Sequence, residues 1–172
     1  MRNAVHLVRR FAGSLRPGPP SSVDEVWARG QLLPGEVELW GSMPNPDRRH
    51  GVGVARAVVE LLGEDATRPV MAAALLHDVG KTATGLHTPG RVVATVLGAV
   101  LPDERVPEWA ERAGWRGVMG RYHLHPAIGA DLLRAAGSDP LTADWAAQHH
   151  QPQSTWTVPC HLARALKAAD DD

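Results

Sequence analysis

The pentapeptide His77-Asp78-Val79-Gly80-Lys81 puts an imidazole and a carboxylate on adjacent residues, with an ammonium three positions beyond the carboxylate. Five further nitrogen and oxygen donors, His50, His125, His149, His150 and Asp170, flank it at long sequence separations. Donors of this kind, with no thiolate among them, suit Fe, Mn, Zn or Ni better than a soft-metal site would. They also exceed the needs of one ion. The set therefore reads as a centre for two divalent transition metal ions, Fe or Mn first and Zn or Ni as alternatives.

Each of the nine histidines, taken alone, is better explained by a structural hydrogen bond or by solvation than by metal ligation. Their shared placement changes the reading: His50, His77, His125, His149 and His150 all fall at expected helix termini, where a bundle can turn polar side chains into one pocket. Within the His149-His150 pair only His150 is expected to reach, because neighbouring helical residues point about 100° apart. His87 and His123 are expected at the surface or behind the ligands.

Helix signals position these donors. Ser22-Val23-Asp24-Glu25 reads as a capping box opening a short helix that Gly30 closes, and Pro34 starts another carrying Val37 and Trp40. Asn45 before Pro46 caps the helix of His50, on which His50, Val54, Val58 and Leu61 recur at spacings of four, four and three as a buried stripe. Gly63 ends it. Thr67 and Pro69 begin the next helix, whose inward face is Val70, Ala73, Ala74 and His77, and Gly80 is expected to let the backbone turn away.

Thr88-Pro89 predicts a helix through Val100 that Pro102 stops, and the stretch from Val106 to His123 predicts helix broken at Gly114, Gly117 and Gly120. His125-Pro126 opens a helix with Ile128, Leu132 and Leu133, and the segments Pro140 to His150 and Pro159 to Ala169 complete the count. Residues 151–156 read as a loop. With no repeat and no period-two strand, the expected architecture is all-α: a single-domain bundle of about seven or eight helices with an interior metal site.

Composition bounds the rest. At 172 residues the chain fits one domain, taken as 21–172 behind an Arg-rich, acid-poor arm over 1–20 whose apolar run is too short for a secretory signal. A net charge of −1 gives no broad electrostatic reason to bind nucleic acid or anionic lipid. The lone Cys160 provides no disulfide framework and fits a reducing cytoplasm, and no segment approaches a membrane span. Of six tryptophans, Trp156 in the 151–156 loop is a candidate for stacking on a nucleobase, and the others read as core or capping aromatics.

His50, then His77-Asp78, then Asp170 within Ala169-Asp170 resemble the HD-domain superfamily of metal-dependent phosphohydrolases, over the chain from about Asp47 to its end. His125-Pro126 with Gly129, the pair His149-His150, and Lys81 three residues after Asp78 are similar to the corresponding runs of HD-GYP-type cyclic dinucleotide phosphodiesterases. After His150, however, the chain reads Gln-Pro-Gln-Ser-Thr-Trp without an acidic residue or a Gly-Tyr-Pro signature, and Pro46 stands where some relatives place a third-metal Glu. The chain also resembles symmetrical dinucleoside tetraphosphate hydrolases in size and in its histidines after the His-Asp pair.

The resemblance implies Asp78 as a carboxylate bridging two cations about 3.5–4 Å apart. It implies His50, His77 and Asp170 around one metal and His125, His149 and His150 around the other. Lys81 is expected to donate to a phosphate oxygen or the leaving group, and Arg48 and Arg49 to fork onto a phosphate. The expected function is hydrolysis of a small phosphorylated substrate, a nucleotide foremost, by a metal-activated water. Two other functions are compatible with these residues: a di-iron oxygenase of the HD type, and a regulatory HD module without catalysis.

Overall fold

The computed structural model describes residues 18–84 and 106–171. The expected helix from Thr88 to Val100, His87 and most of the expected N-terminal arm lie outside the described residues. Within them the fold is all-α, with nine α-helices and no strand. In chain order these are α1 (Ser22–Gly30), α2 (Pro34–Ser42), α3 (Asn45–Leu62), α4 (Arg68–Leu76), α5 (Val106–Ala110), α6 (Gly114–His123), α7 (His125–Ala135), α8 (Pro140–Gln148) and α9 (Cys160–Asp171). Short 3₁₀ turns cover Gly63–Asp65, Val79–Thr84 and Gln153–Thr155.

The helix starts follow local chemistry, with small shifts. Ser21, one residue before the expected cap, opens α1: its Oγ accepts from the Asp24 amide at 3.1 Å and its hydroxyl donates to the Asp24 carboxylate at 2.7 Å. At α2 the buried Glu36 carboxylate reaches back to the Leu33 amide at 2.7 Å. Asn45 is the first residue of α3 instead of its cap, and Gly63 ends that helix at φ 55°, a conformation that favours glycine.

α4 is the centre of the bundle. Every residue from Val70 to Leu76 is buried, because α3, α8 and α9 all pack against it. The α3 crossing is close: a Cβ on Gly51 would lie 2.6 Å from the Leu75 carbonyl oxygen. The buried stripe of α3 runs through Val54, Ala55 and Val58, with Leu62 packed against the core, whereas Leu61 is 56 % exposed. At 3.6 residues per turn the position below Val58 belongs to residue 62, so the final spacing of three led off the face.

Two sets of glycines read as breaks turn out to be contact points. Gly80 does not have a positive φ. A Cβ there would sit 1.9 Å from the His125 carbonyl oxygen and 2.6 Å from the Gly129 amide nitrogen, so glycine is needed for the Val79–Thr84 turn to touch the start of α7. Gly117 and Gly120 lie inside α6, where a Cβ would meet Arg112 O at 1.7 Å and Ala110 N at 2.3 Å. Only Gly114, at φ 76°, marks a true change of direction in that segment.

The Gly80 contact brings the His77-Asp78 pair and His125 to one place, so its loss should be felt globally. Gly80→Ala should destabilise the protein by about 2 kcal/mol or more, since the new methyl meets backbone that cannot rotate away. Gly53→Ala, on the open face of α3 with nothing within 4 Å of the new carbon, should be neutral or gain about 0.5–1 kcal/mol. Urea denaturation of both variants checks this, and equal midpoints would contradict it.

Candidate metal centre

The donors converge from five stretches of chain. His50 projects from the second turn of α3, His77 caps the C-terminus of α4 with Asp78 next to it, and Lys81 sits in the turn that follows. His125 is the first residue of α7, His149 and His150 follow the last residue of α8, and Asp170 lies near the end of α9. His77, Asp78, His125, His149 and Asp170 are buried, although charged and polar side chains are seldom buried unless paired.

Asp78 is the hub. Its Oδ1 lies 3.6 Å from both His125 Nε2 and His149 Nε2, while Oδ2 lies 3.6 Å from His77 Nε2 and accepts from Lys81 Nζ at 2.5 Å. Asp170 Oδ1 is 3.0 Å from His50 Nε2 and 3.5 Å from His77 Nε2. Donor atoms of His50, His77 and Asp78 lie within 4.8 Å of one another, and so do those of Asp78, His125, His149 and His150. Asp78 is the member common to both groups.

Three rings are held by the same device. His77 Nδ1 donates to Ala74 O at 3.0 Å, His125 Nδ1 to Tyr122 O at 2.5 Å and His149 Nδ1 to Ala146 O at 2.8 Å, each a carbonyl three residues back. In the neutral ring this places the proton on Nδ1 and leaves the Nε2 lone pair facing the pocket. His77 Nε2, His125 Nε2, His149 Nε2 and Asp78 Oδ1 are buried with no hydrogen-bond partner. Four converging buried acceptors without donors would be costly unless a cation completes them. The residues therefore fit metal ions.

The electrostatics agree. Burial raises the Asp78 carboxyl, but the Lys81 ammonium and His77 outweigh it and hold the group well below the usual carboxylate range. Burial likewise raises Asp170, and the hydrogen bond with His50 and the nearby His77 ring outweigh it and lower the group. His77 is pushed down by burial and lifted above its ordinary value by Asp78 and Asp170, a mark of the negative charge gathered there. His149 is lowered chiefly by burial; His150, although exposed as a residue, is pushed down to about 3 by the desolvation of its ring against the cluster and by His149 and His125. Neutral imidazoles are the form that ligates.

All seven sequence-read metal donors are thus brought together. His149 is fully buried and His150 exposed, with ring centroids 4.0 Å apart, and both belong to the Asp78 group. Helical spacing does not separate them, because α8 ends at Gln148 and the pair lies in the turn beyond it.

Two other expectations are corrected. The Arg48 guanidinium bonds to Glu25 at 3.1 and 3.2 Å and to Asn45 Oδ1 at 2.6 Å, so it joins helices and is not presented to a phosphate. Arg49 donates to the Gly18 carbonyl. Trp156 Nε1 donates to Gln148 O at 3.2 Å and Gln151 O at 3.0 Å, and its ring stands edge-on to the buried Trp145. It closes the end of α8 instead of offering a face to a base. Sequence reading missed Tyr122, whose carbonyl orients His125 and whose ring lies 5.5 Å from it; a backbone acceptor leaves no residue-type signal.

The family model for the HD domain matches residues 49–171. Neither a curated protein nor a solved structure matches the chain.

Two outcomes follow from this geometry. Added Mn²⁺ should raise the thermal midpoint of metal-stripped protein, since binding to the folded state alone stabilises it. Asp78→Ala should remove that rise, and a full rise in the variant would contradict the shared role of Asp78. Separately, Trp156→Phe should cost about 1 kcal/mol through the lost cap on α8. A variant as stable as wild type in chemical denaturation would contradict that role for Trp156.

Proposed function

Since the chain belongs to the HD-domain family, whose members are mostly metal-dependent hydrolases, we propose that it hydrolyses a small phosphate ester, a nucleotide being the first candidate class, with two divalent transition metal ions. The observation that carries this reading is the position of Asp78 as the member shared by two groups of candidate ligands, with the unpartnered Nε2 atoms of His77, His125 and His149 turned toward its carboxylate. A carboxylate with one oxygen facing His125 and His149 and the other facing His77 suits bridging two cations.

In this reading Asp78 is shared, His50, His77 and Asp170 hold one ion, and His125, His149 and His150 hold the other. Ions bound there would acidify a water and balance charge on the phosphoryl oxygens. The chain's own groups do the rest. The Nδ1 hydrogen bonds to backbone carbonyls fix the imidazoles before substrate arrives, so no reorganisation is needed at the moment of reaction. Lys81, part-buried and kept charged by Asp78, supplies an ammonium to a phosphate oxygen or to the leaving group.

Neither Arg48 nor Trp156 serves the substrate in this reading, so recognition falls mainly on the phosphate and less on a base. No helix among the described residues is long and apolar enough to cross a membrane, and we place the activity on small metabolites in the cytoplasm.

A metal-reconstituted screen against bis-nitrophenyl phosphate, nitrophenyl phosphate, nucleotides, cyclic dinucleotides and dinucleoside polyphosphates tests the proposal. Turnover should appear with Mn²⁺ or Fe²⁺, vanish in Asp78→Ala, and fall about 100-fold in kcat for Lys81→Met if the ammonium stabilises the transition state. Absence of turnover on every ester, together with O₂ consumption by the iron-loaded protein, would replace hydrolysis by oxygenase chemistry.

A further inference from the structure

Glu25 collects donors from three helices onto one carboxylate. Its Oε1 accepts from Arg29 Nε at 2.9 Å within α1, from Trp40 Nε1 at 3.2 Å on α2 and from Arg48 NH1 at 3.1 Å on α3, and Arg48 NH1 also reaches Oε2 at 3.2 Å. Trp40 is wholly buried, and the Glu25 and Arg48 side chains are 21 % and 15 % exposed, so this joint is sheltered compared with an ordinary surface ion pair.

The first turn of α3 needs such a joint. Its cap position is Pro44, which gives no side-chain cap, and the Asn45 Oδ1 that could have capped it accepts from Arg48 NH2 instead. The turn is tied sideways: Arg48 to Glu25, and Arg49 to the Gly18 carbonyl. His50 follows directly, and its Nε2 must meet Asp170 Oδ1 at 3.0 Å and stand edge-on to His77 at a ring separation of 5.3 Å. Metal sites lose affinity when the groups orienting a ligand are removed, by about 10- to 100-fold.

From these contacts we infer that Glu25 is a positioning residue for His50, acting through the Arg48 guanidinium, so that the metal centre is completed by a helix outside the family-matched region of residues 49–171. The inference rests on the metal-centre reading above. Its effect is confined to one half of the site, because His125, His149 and His150 are carried by α7 and the end of α8.

The test uses the full-length, metal-stripped protein and two readouts: Mn²⁺ binding by isothermal titration calorimetry, and amide hydrogen exchange over residues 49–52 without metal. Arg48→Met keeps the stem and removes the guanidinium, and Glu25→Gln keeps an acceptor for Trp40. Both should weaken one of two classes of Mn²⁺ sites about tenfold, leave the other class unchanged and speed exchange over 49–52. Arg48→Lys should regain part of the affinity, and Arg29→Ala, which removes a Glu25 partner within α1 only, should behave as wild type.

Unchanged Mn²⁺ affinity and unchanged exchange in Arg48→Met would overturn the inference, as would equal losses in both classes, which would indicate general loosening. Wild-type protein that takes up no Mn²⁺ would overturn the metal-centre reading itself. The exchange readout would then decide the tether alone, with unchanged exchange counting against it.

Discussion

The burial of the Asp78 carboxylate among imidazoles is the constraint on which the rest of the structure depends. A charged group at 5 % exposure is expensive, and Lys81 alone faces only one of its two oxygens. The other oxygen is directed at His125 and His149, both without protons to offer when Nδ1 holds the hydrogen. A hydrophobic bundle of this size has no structural need for such a cluster. The arrangement suits cations, and the packing of α4 at the centre serves to hold its own C-terminus, His77-Asp78, in place.

Glycine makes that placement possible. The Val79–Thr84 turn and the start of α7 touch backbone to backbone at Gly80, and this contact sets His125 opposite Asp78. The close crossing of α3 on α4 at Gly51 does the same for His50, one residue earlier in the chain. Both halves of the site are thus positioned by backbone contacts closer than a methyl group would allow.

Residue type and helix-end position made the donor set legible in the sequence: a His-Asp pair after an apolar helix, a His-Pro at a helix start, and an Asp closing the last helix. Periodicity also gave the all-α class and most helix bounds. What it could not give was anything set by a neighbour distant in sequence. Gly80, Gly117 and Gly120 read as breaks because a glycine that admits another backbone looks the same as one that turns the chain. Arg48 read as a phosphate fork because Glu25, its partner, lies 23 residues away. Trp156 read as a free ring because its acceptors are carbonyls.

The number and position of bound metals test the central claim most directly. A crystal structure of the Mn²⁺-loaded protein, with anomalous scattering to locate the ions, should show two peaks flanking the Asp78 carboxylate, one beside His50 and His77 and one beside His125 and His149. A loaded crystal with no anomalous peak between these imidazoles, or with manganese bound only elsewhere on the surface, would contradict the account.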